Sequence, residues 1–429
     1  MKKRIAVAGL LAGMLASQSV HAKTLEDALK EKGILTDQDL KSVSSDSKIN
    51  YNLGDGFTFQ SGDEKFKLSL GGRLQTRFTL TDYDKDASTK PDVDKFEIKR
   101  MYIWLKGNAY SKDLTYKVQY NLAANQDSQS GSDGRLLEAF MNYKLADEFQ
   151  IEAGQDIVPW GRQIIISSGA YEFVDRSFAE NAFIPSYDIG LNLHGNIAKG
   201  IGEYSVGLWN GTGQNTPRGT NTPAFNARLA FNPFGAVAYS EGDFDRTPTP
   251  RIAIGGAYFR NTLRLTTTPT APTATSLEKS FGDGYRSSGG WLGKGFSTLA
   301  TNGVSETLAI QQAEADLAFR WMGASVDAEY FVGQAEGNTT GKELRAHGFY
   351  AQAGYFVIPQ HLQLAVRYNY LDPNRVVSNN IITETQGAVS YYFNKHNLKL
   401  QGDVTSRHTQ SSTVPTDDME YRLQAQVIF

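Results

Sequence analysis

FKLSLGGRLQTRFTLT, residues 66–81, alternates along its whole length. Phe66, Leu68, Leu70, Gly72, Leu74, Thr76, Phe78 and Leu80 share one face; Lys67, Ser69, Gly71, Arg73, Gln75, Arg77 and Thr79 share the other. A period of two places successive side chains on opposite sides of an extended strand. A single such strand in water would be half-buried in a soluble sheet. Repeated many times down one chain, the pattern means lipid on one face and water on the other.

The repetition is there. Sixteen segments carry the pattern: 66–81, 95–108, 113–124, 135–146, 149–157, 187–198, 203–211, 223–233, 250–261, 308–320, 323–333, 343–358, 361–371, 381–394, 397–408 and 419–429. An even count brings both ends of a barrel to the periplasmic side, with short turns there and long loops outside. The connections alternate accordingly. Those at 108–112, 146–148, 394–396 and around Pro359 are short, and 82–94, 125–134, 158–186 and 262–307 are long. Pro233 to Pro250 is the exception, a long connection where a short turn belongs. About sixteen strands is also the size at which a barrel keeps an aqueous channel.

The two ends of the chain agree with this class. Tyr421, Leu423, Ala425, Val427 and the terminal Phe429 share a face, an aromatic ending that matches the C-terminal signature of bacterial outer-membrane proteins. At the start, Lys2, Lys3 and Arg4 precede an apolar run from Ile5 to Ala16, and Val20-His21-Ala22 offers a cleavage site, so residues 1–22 read as a signal peptide. That run is too short for a membrane helix, and no later stretch approaches eighteen apolar residues. Residues 23–50 read as a periplasmic leader and linker, with two short helices between Thr24 and Val43 and a serine-rich end at Ser42–Ser47. Residues 51–429 are left for the barrel.

Composition narrows the chemistry. No cysteine among 429 residues removes disulfides, thiolate catalysis and Cys-based metal sites, and a net charge of -3 gives no electrostatic case for nucleic acid. A mean hydropathy of -0.40 beside 21 tyrosines and 23 phenylalanines suits a barrel, where half of every strand faces water. Aromatic residues at segment ends, Tyr102, Trp104, Tyr110, Tyr116, Tyr120, Tyr143, Tyr391, Phe393 and Phe429, are expected in the interfacial girdles.

One stretch breaks the rhythm. Residues 154–190, GQDIVPWGRQIIISSGAYEFVDRSFAENAFIPSYDIG, hold enough aromatics and charges to pack as a unit. Long loops of this kind are usually functional. We expect it to fold into the barrel as its third long loop and narrow the pore.

Strand parity then assigns the lumen. Fourteen basic residues against eight acidic ones fall on inward positions, an excess of six positive charges inside a slightly acidic chain. Arg73, Arg77, Arg100 and Lys117 gather on the first three strands, with Arg228 and Arg367 farther round. Arg162 and Arg176 are the loop's candidates to reach the constriction. Glu314, Asp316, Asp327 and Glu329 on the tenth and eleventh strands form an opposing acidic wall. Arginine suits oxyanions through its planar fork of donors, and low-dielectric walls focus the field of such charges.

Five stretches, in order, resemble the phosphate-selective porins of the O and P type. They are Gly72-Arg73-Leu74-Gln75; FEIKRMYI at 96–103; Gly154-Gln155 with Pro159-Trp160-Gly161; Phe173-Val174-Asp175-Arg176-Ser177; and Asn232-Pro233-Phe234-Gly235. The likeness spans essentially the whole mature chain, including the short helical leader. It implies a homotrimeric, sixteen-stranded porin of the bacterial outer membrane whose third loop folds inward and whose arginines draw small anions, phosphate or another oxyanion, through the pore. Members of the family need not be selective for phosphate, and no lysine-rich funnel is found here.

Enzyme chemistry has no comparable signal. The six histidines are scattered without metal-ligand spacing, and no nucleophile motif accompanies them. Asp82, Asp84, Asp86, Asp92 and Asp94 resemble the start of a calcium loop but lack its glycine and closing Glu, and so read as a solvated acidic loop. The expectation is an all-β transmembrane antiparallel barrel of about sixteen strands, with an inward third loop, a short N-terminal helical segment and no cofactor. It would be a passive porin in outer-membrane lipid with a preference for anions, or else a general, weakly selective one.

Overall fold

The computed structural model describes residues 47–123, 135–217, 222–268, 271–277, 284–301 and 304–429. The signal peptide and the two leader helices lie outside these residues. The chain divides into Met1–Lys48 with Ser61–Asp63, and Ile49–Gln60 with Glu64–Phe429; the second unit is the barrel.

In order, the strands are β1 Ser47–Asn52, β2 Gly56–Ser61, β3 Lys67–Asp82, β4 Val93–Asn108, β5 Leu114–Asn121, β6 Arg135–Ala146, β7 Phe149–Ile157, β8 Tyr187–Ile197, β9 Gly202–Trp209 and β10 Ala224–Phe231. Then follow β11 Arg251–Thr268, β12 Ala271–Leu277, β13 Glu306–Trp321, β14 Ala324–Gly337, β15 Glu343–Ile358, β16 Leu362–Asp372, β17 Ile382–Asn394, β18 Leu398–Thr409 and β19 Thr416–Ile428. All sixteen predicted segments are strands, β3–β11 and β13–β19, and consecutive ones pair antiparallel, β11 with β13. The last closes on the first, with Tyr421 opposite Leu80 and Gln424 opposite Arg77. A barrel closed this way leaves no strand edge unpaired in lipid, where an unsatisfied backbone group costs several kcal/mol.

Three strands were not foreseen. β12 folds back on the extended end of β11. β2 pairs with Lys67–Leu70 of β3, below the point where β19 ends, and β1 pairs with β2.

Alternation holds wherever the register is regular, and β4 shows what happens where it is not. Gln75 of β3 lies opposite Arg100, but the next residue, Thr76, lies opposite Ile98, so Lys99 is an extra residue in β4. A bulge of this kind reverses which parity faces inward. Phe96, 79% exposed, and Ile98 therefore face lipid, whereas Arg100, Tyr102 and Trp104, also even-numbered, face the lumen. This corrects the expected girdle. Tyr102 and Trp104 are buried inside, where Arg73 stacks 4.4 Å above the Tyr102 ring and the Trp104 indole donates to the Asp55 carbonyl. Tyr110, Tyr120, Tyr143, Tyr391, Phe393 and Phe429 are exposed, in keeping with a girdle.

Long and short connections alternate between the two ends with two exceptions: residues 232–250 are long at the short-turn end, and residues 338–342 are short at the long-loop end. The apolar residues that an ordinary domain would bury between its sheets are here inside the barrel. Trp160, Phe183, Ile184, Trp291, Leu292, Phe331 and Tyr350 belong to one buried cluster contributed by loops and wall together.

The loop inside the barrel and what holds it

Residues 158–186 begin with a helical turn, Arg162–Ile165, and carry a second at Phe178–Asn181. The second turn opens with half of a capping box. Ser177 Oγ accepts the Glu180 N–H at 3.0 Å, but the Ser177 N–H donates to Gln163 Oε1 rather than back to Glu180. The Tyr171 hydroxyl bridges the Gln163 and Ile166 carbonyls and so closes the segment between the turns. Its partners elsewhere are inward-facing side chains of the wall, which places the segment in the lumen.

On the wall of β3 and β4, Arg73 donates to the hydroxyls of Ser167 and Ser168 at 2.9 and 2.7 Å. Arg77 and Arg100 both donate to the Asp175 carboxylate, at 3.0 and 2.8 Å, and Arg77 also reaches the Val174 carbonyl. From β16, Arg367 donates to the Asp175 carbonyl and lies 3.9 Å above the Phe173 ring. From β18, Lys399 donates to the Tyr171 carbonyl, and Asp403 accepts the Val174 N–H. Glu172 turns the other way and accepts from Ser325 of β14 and from Gln352 and Gln363 of β15 and β16.

Two further segments close on the loop from its two sides. Residues 284–301 pack from the long-loop end. The Tyr285 and Trp291 N–H groups donate to the Ile184 and Ala182 carbonyls at 3.0 Å each, and Trp291 stacks on Phe183, which stacks on Phe331. A Cβ at Gly333 would lie 2.7 Å from the Trp291 indole, so the ring fits only because that wall position is glycine. From the short-turn end comes the long connection 233–250. Its Glu241 carboxylate accepts from Gln163 Nε2 and from the Glu172 N–H, both at 2.7 Å, and its N–H donates to the Ala170 carbonyl. Phe244 anchors the connection, with its ring centre 4.8 Å from those of Phe356, Tyr392 and His396.

The candidate residues thus divide. Arg73, Arg77 and Arg100 meet at the loop with Asp175 as the only carboxylate paired to them among the described residues. Arg176 donates to Tyr171 and lies 3.7 Å from Glu180. Arg162 does not reach the open lumen. It is 2% exposed, stacks on Tyr239 and donates to the Val237 and Ala238 carbonyls. Arg367 is likewise enclosed, at 1%, and Arg73 and Arg77 are nearly so, at 3% and 4%; Arg100 is the most open of the cluster, its side chain 13% exposed. Lys117 is paired with Glu138.

The acidic wall stands opposite the first strands, as the strand order requires, but much of it is not free. Arg228 holds Glu314 at 2.7 Å and Asp316 at 2.6 Å, and Arg320 holds Asp327 at 2.9 Å. Glu329 instead accepts the Gln163 N–H and the Tyr350 hydroxyl.

Burial opposes ionisation of Asp175, yet Arg100 and Arg77 outweigh it and hold the carboxyl well below the usual range. Glu172 lacks such partners. Burial first, then Glu241 and Asp327, push it up to about 7. Burial pushes Glu180 up to about 8 against the pull of Arg176.

Sequence reasoning missed Glu241, Phe244 and Trp291 as parts of this assembly. The anomalous length of 233–250 was the available signal for the first two. Among the described residues no three His, Asp or Glu side chains gather as a metal site.

A family model described as phosphate-selective porin O and P matches residues 68–259 and 298–429. Porin O of Pseudomonas aeruginosa is 24% identical over 385 residues, 84% of this chain and 78% of that protein. An uncharacterised protein of Aquifex aeolicus is 24% identical over 293 residues, 61% of this chain and 67% of its own length. Among solved structures, an anion-selective porin from Comamonas acidovorans superposes with a TM-score of 0.55 at 10% identity, covering 84% of this chain and 99% of its own. The outer-membrane channel DcaP of Acinetobacter baumannii gives 0.53 at 12% identity, covering 86% and 99%.

Proposed function

The chain belongs to the phosphate-selective porin O and P family, channels of the bacterial outer membrane rather than enzymes, and from that premise we propose a passive porin for small hydrophilic solutes that prefers anions. The observation that carries the preference is the convergence of Arg73, Arg77 and Arg100 on the inward loop with one paired carboxylate, Asp175, among them. Among the described residues Arg73 donates to the hydroxyls of Ser167 and Ser168 and stacks on Tyr102 but pairs with no carboxylate, so its charge is not cancelled locally. Fixed donors in a narrow, low-dielectric passage raise the local concentration of oxyanions without binding them so tightly that they stay. Solutes cross by diffusion down their gradient, with phosphate or another oxyanion among them.

Around this core, the signal peptide 1–22 is removed, residues 23–50 form a periplasmic leader, residues 51–429 sit in outer-membrane lipid, and three copies associate as a homotrimer.

A general, weakly selective porin is the second reading. It is favoured by the neutralised pairs, Arg228 with Glu314 and Asp316, Arg320 with Asp327, and Arg422 with Asp403. The zero-current potential of the purified protein in a planar bilayer under a KCl gradient decides between them. We expect an anion-selective sign, reduced in Arg73→Gln. A sign near zero, or a cation-selective one, makes the general porin the better description.

A further inference from the structure

The inward loop and its two flanking segments fill the lumen along β13–β19, but they leave space against β7–β10. A cavity of about 220 Å³ lies there, between the wall, Pro159 and Ile165 of the loop, and Tyr239 of the 233–250 connection. It lies toward the short-turn end, since Glu152 is near the start of β7 and Glu203 near the start of β9. Four charged residues line it: Glu152, Asp156, Glu203 and Arg228.

Their charges do not balance. Arg228, 4% exposed, is already countered by both Glu314 and Asp316. Glu203 accepts the Tyr239 hydroxyl at 2.6 Å and Asn232 Nδ2 at 2.7 Å, neither of which carries charge. Among the described residues Glu152 and Asp156 form no ion pair; the cation that acts on them both, Lys117, is itself tied to Glu138.

We propose that the route continues through this cavity and that Glu152 and Asp156 determine its valence selectivity. This rests on the anion-porin reading and deepens it. Coulomb repulsion from a fixed carboxylate grows in proportion to the charge of the passing solute. A basic constriction followed by an acidic vestibule therefore admits singly charged anions, and solutes carrying an ammonium group beside their carboxylate, over dianions. Within a family named for phosphate, this chain handicaps the doubly charged species at its periplasmic mouth.

The test uses the full-length protein in planar bilayers, with chloride and sulfate as probes. Zero-current potentials under KCl and K₂SO₄ gradients give the sulfate-to-chloride permeability ratio. The double variant Glu152→Gln/Asp156→Asn should raise that ratio roughly fivefold. The charge-keeping variant Glu152→Asp/Asp156→Glu should leave it near the wild-type value, which separates charge from packing.

As a control, Asp147→Asn/Glu148→Gln removes two carboxylates from the exposed turn between β6 and β7, outside the cavity. An unchanged ratio in the neutral double variant overturns the proposal, and so does an equal rise in the turn variant. Should the double variant fail to insert, Glu152→Gln and Asp156→Asn alone should each give part of the rise, and no rise in either overturns it. A cation-selective wild type in KCl sinks the anion-porin reading instead, a result visible before any variant is compared.

Discussion

Arg77 and Arg100 stand on neighbouring strands and meet at Asp175, whose two oxygens they hold at 3.0 and 2.8 Å. The carboxylate does two things there: it fastens the inward loop to the β3–β4 wall, and it cancels one of two converging charges. Asp175→Asn should separate these effects. With both arginines uncompensated, the anion preference in the zero-current potential should rise. The loop should lose on the order of 3 kcal/mol of anchoring, because removing one partner leaves buried charge unpaired. Single-channel records should then show added flicker. A variant with unaltered selectivity would take Asp175 out of the pore's electrostatics.

Trp291 secures the loop from the exterior side through its stack on Phe183, its N–H to the Ala182 carbonyl and its indole N–H to Gln312 at 2.7 Å. It is fully buried. Trp291→Ala should cost about 3–5 kcal/mol locally, and the unsupported loop should raise mean conductance and noise while the barrel still assembles. A variant record as quiet as that of the wild type would mean the segment 284–301 only covers the loop.

Phe244 plays the corresponding part on the periplasmic side. Its ring is held among Phe356, Tyr392 and His396, and it keeps Glu241 in place under Gln163 and Glu172. Phe244→Ala should cost about 3 kcal/mol and free the 233–250 connection. Protease cutting within residues 233–250 from the periplasmic face should become faster, with a larger conductance. Equal cutting rates in the two proteins would count against this clamp.

The sixteen strands were legible because lipid and water impose a period of two on every one of them, and sequence shows that period directly. In β4 the inserted residue Lys99 switches the inward parity between Ile98 and Arg100, so Tyr102 and Trp104, expected in the girdle for their position near a segment end, follow Arg100 into the lumen. The arginines of β3 could be found by alternation alone. Their partners could not, since Asp175 comes from a loop and no periodicity positions it. The same limit applies to Arg162. Its charge suggested the pore, while its actual partners are backbone carbonyls of a connection whose sequence carries no repeating pattern. Asp156 was open to the same parity argument as Glu152, four residues earlier on β7, but it lies next to the strand's end, where alternation gives way to loop.

Glu172 and Glu180 make the seat of the loop sensitive to pH. Their carboxyls, near 4.5 in an unfolded chain, are raised to about 7 and about 8, Glu172 by burial and then by Glu241 and Asp327, Glu180 by burial against the pull of Arg176. Folding therefore takes up protons across this interval. The stability it contributes is complete below about pH 4.5 and is lost progressively as pH rises through 7 and 8. The temperature of unfolding should accordingly fall between about pH 5 and 8 and level off above, and open-channel noise should grow as the loop loosens. Glu172→Gln should lessen the fall only below about pH 7, whereas Glu180→Gln should lessen it throughout and abolish it between about 7 and 8, since an amide keeps the shape without a titrating proton. Thermal scans of the four proteins, wild type, two singles and the double, would settle the assignment. A pH slope in the double variant as steep as in the wild type would place the titration elsewhere.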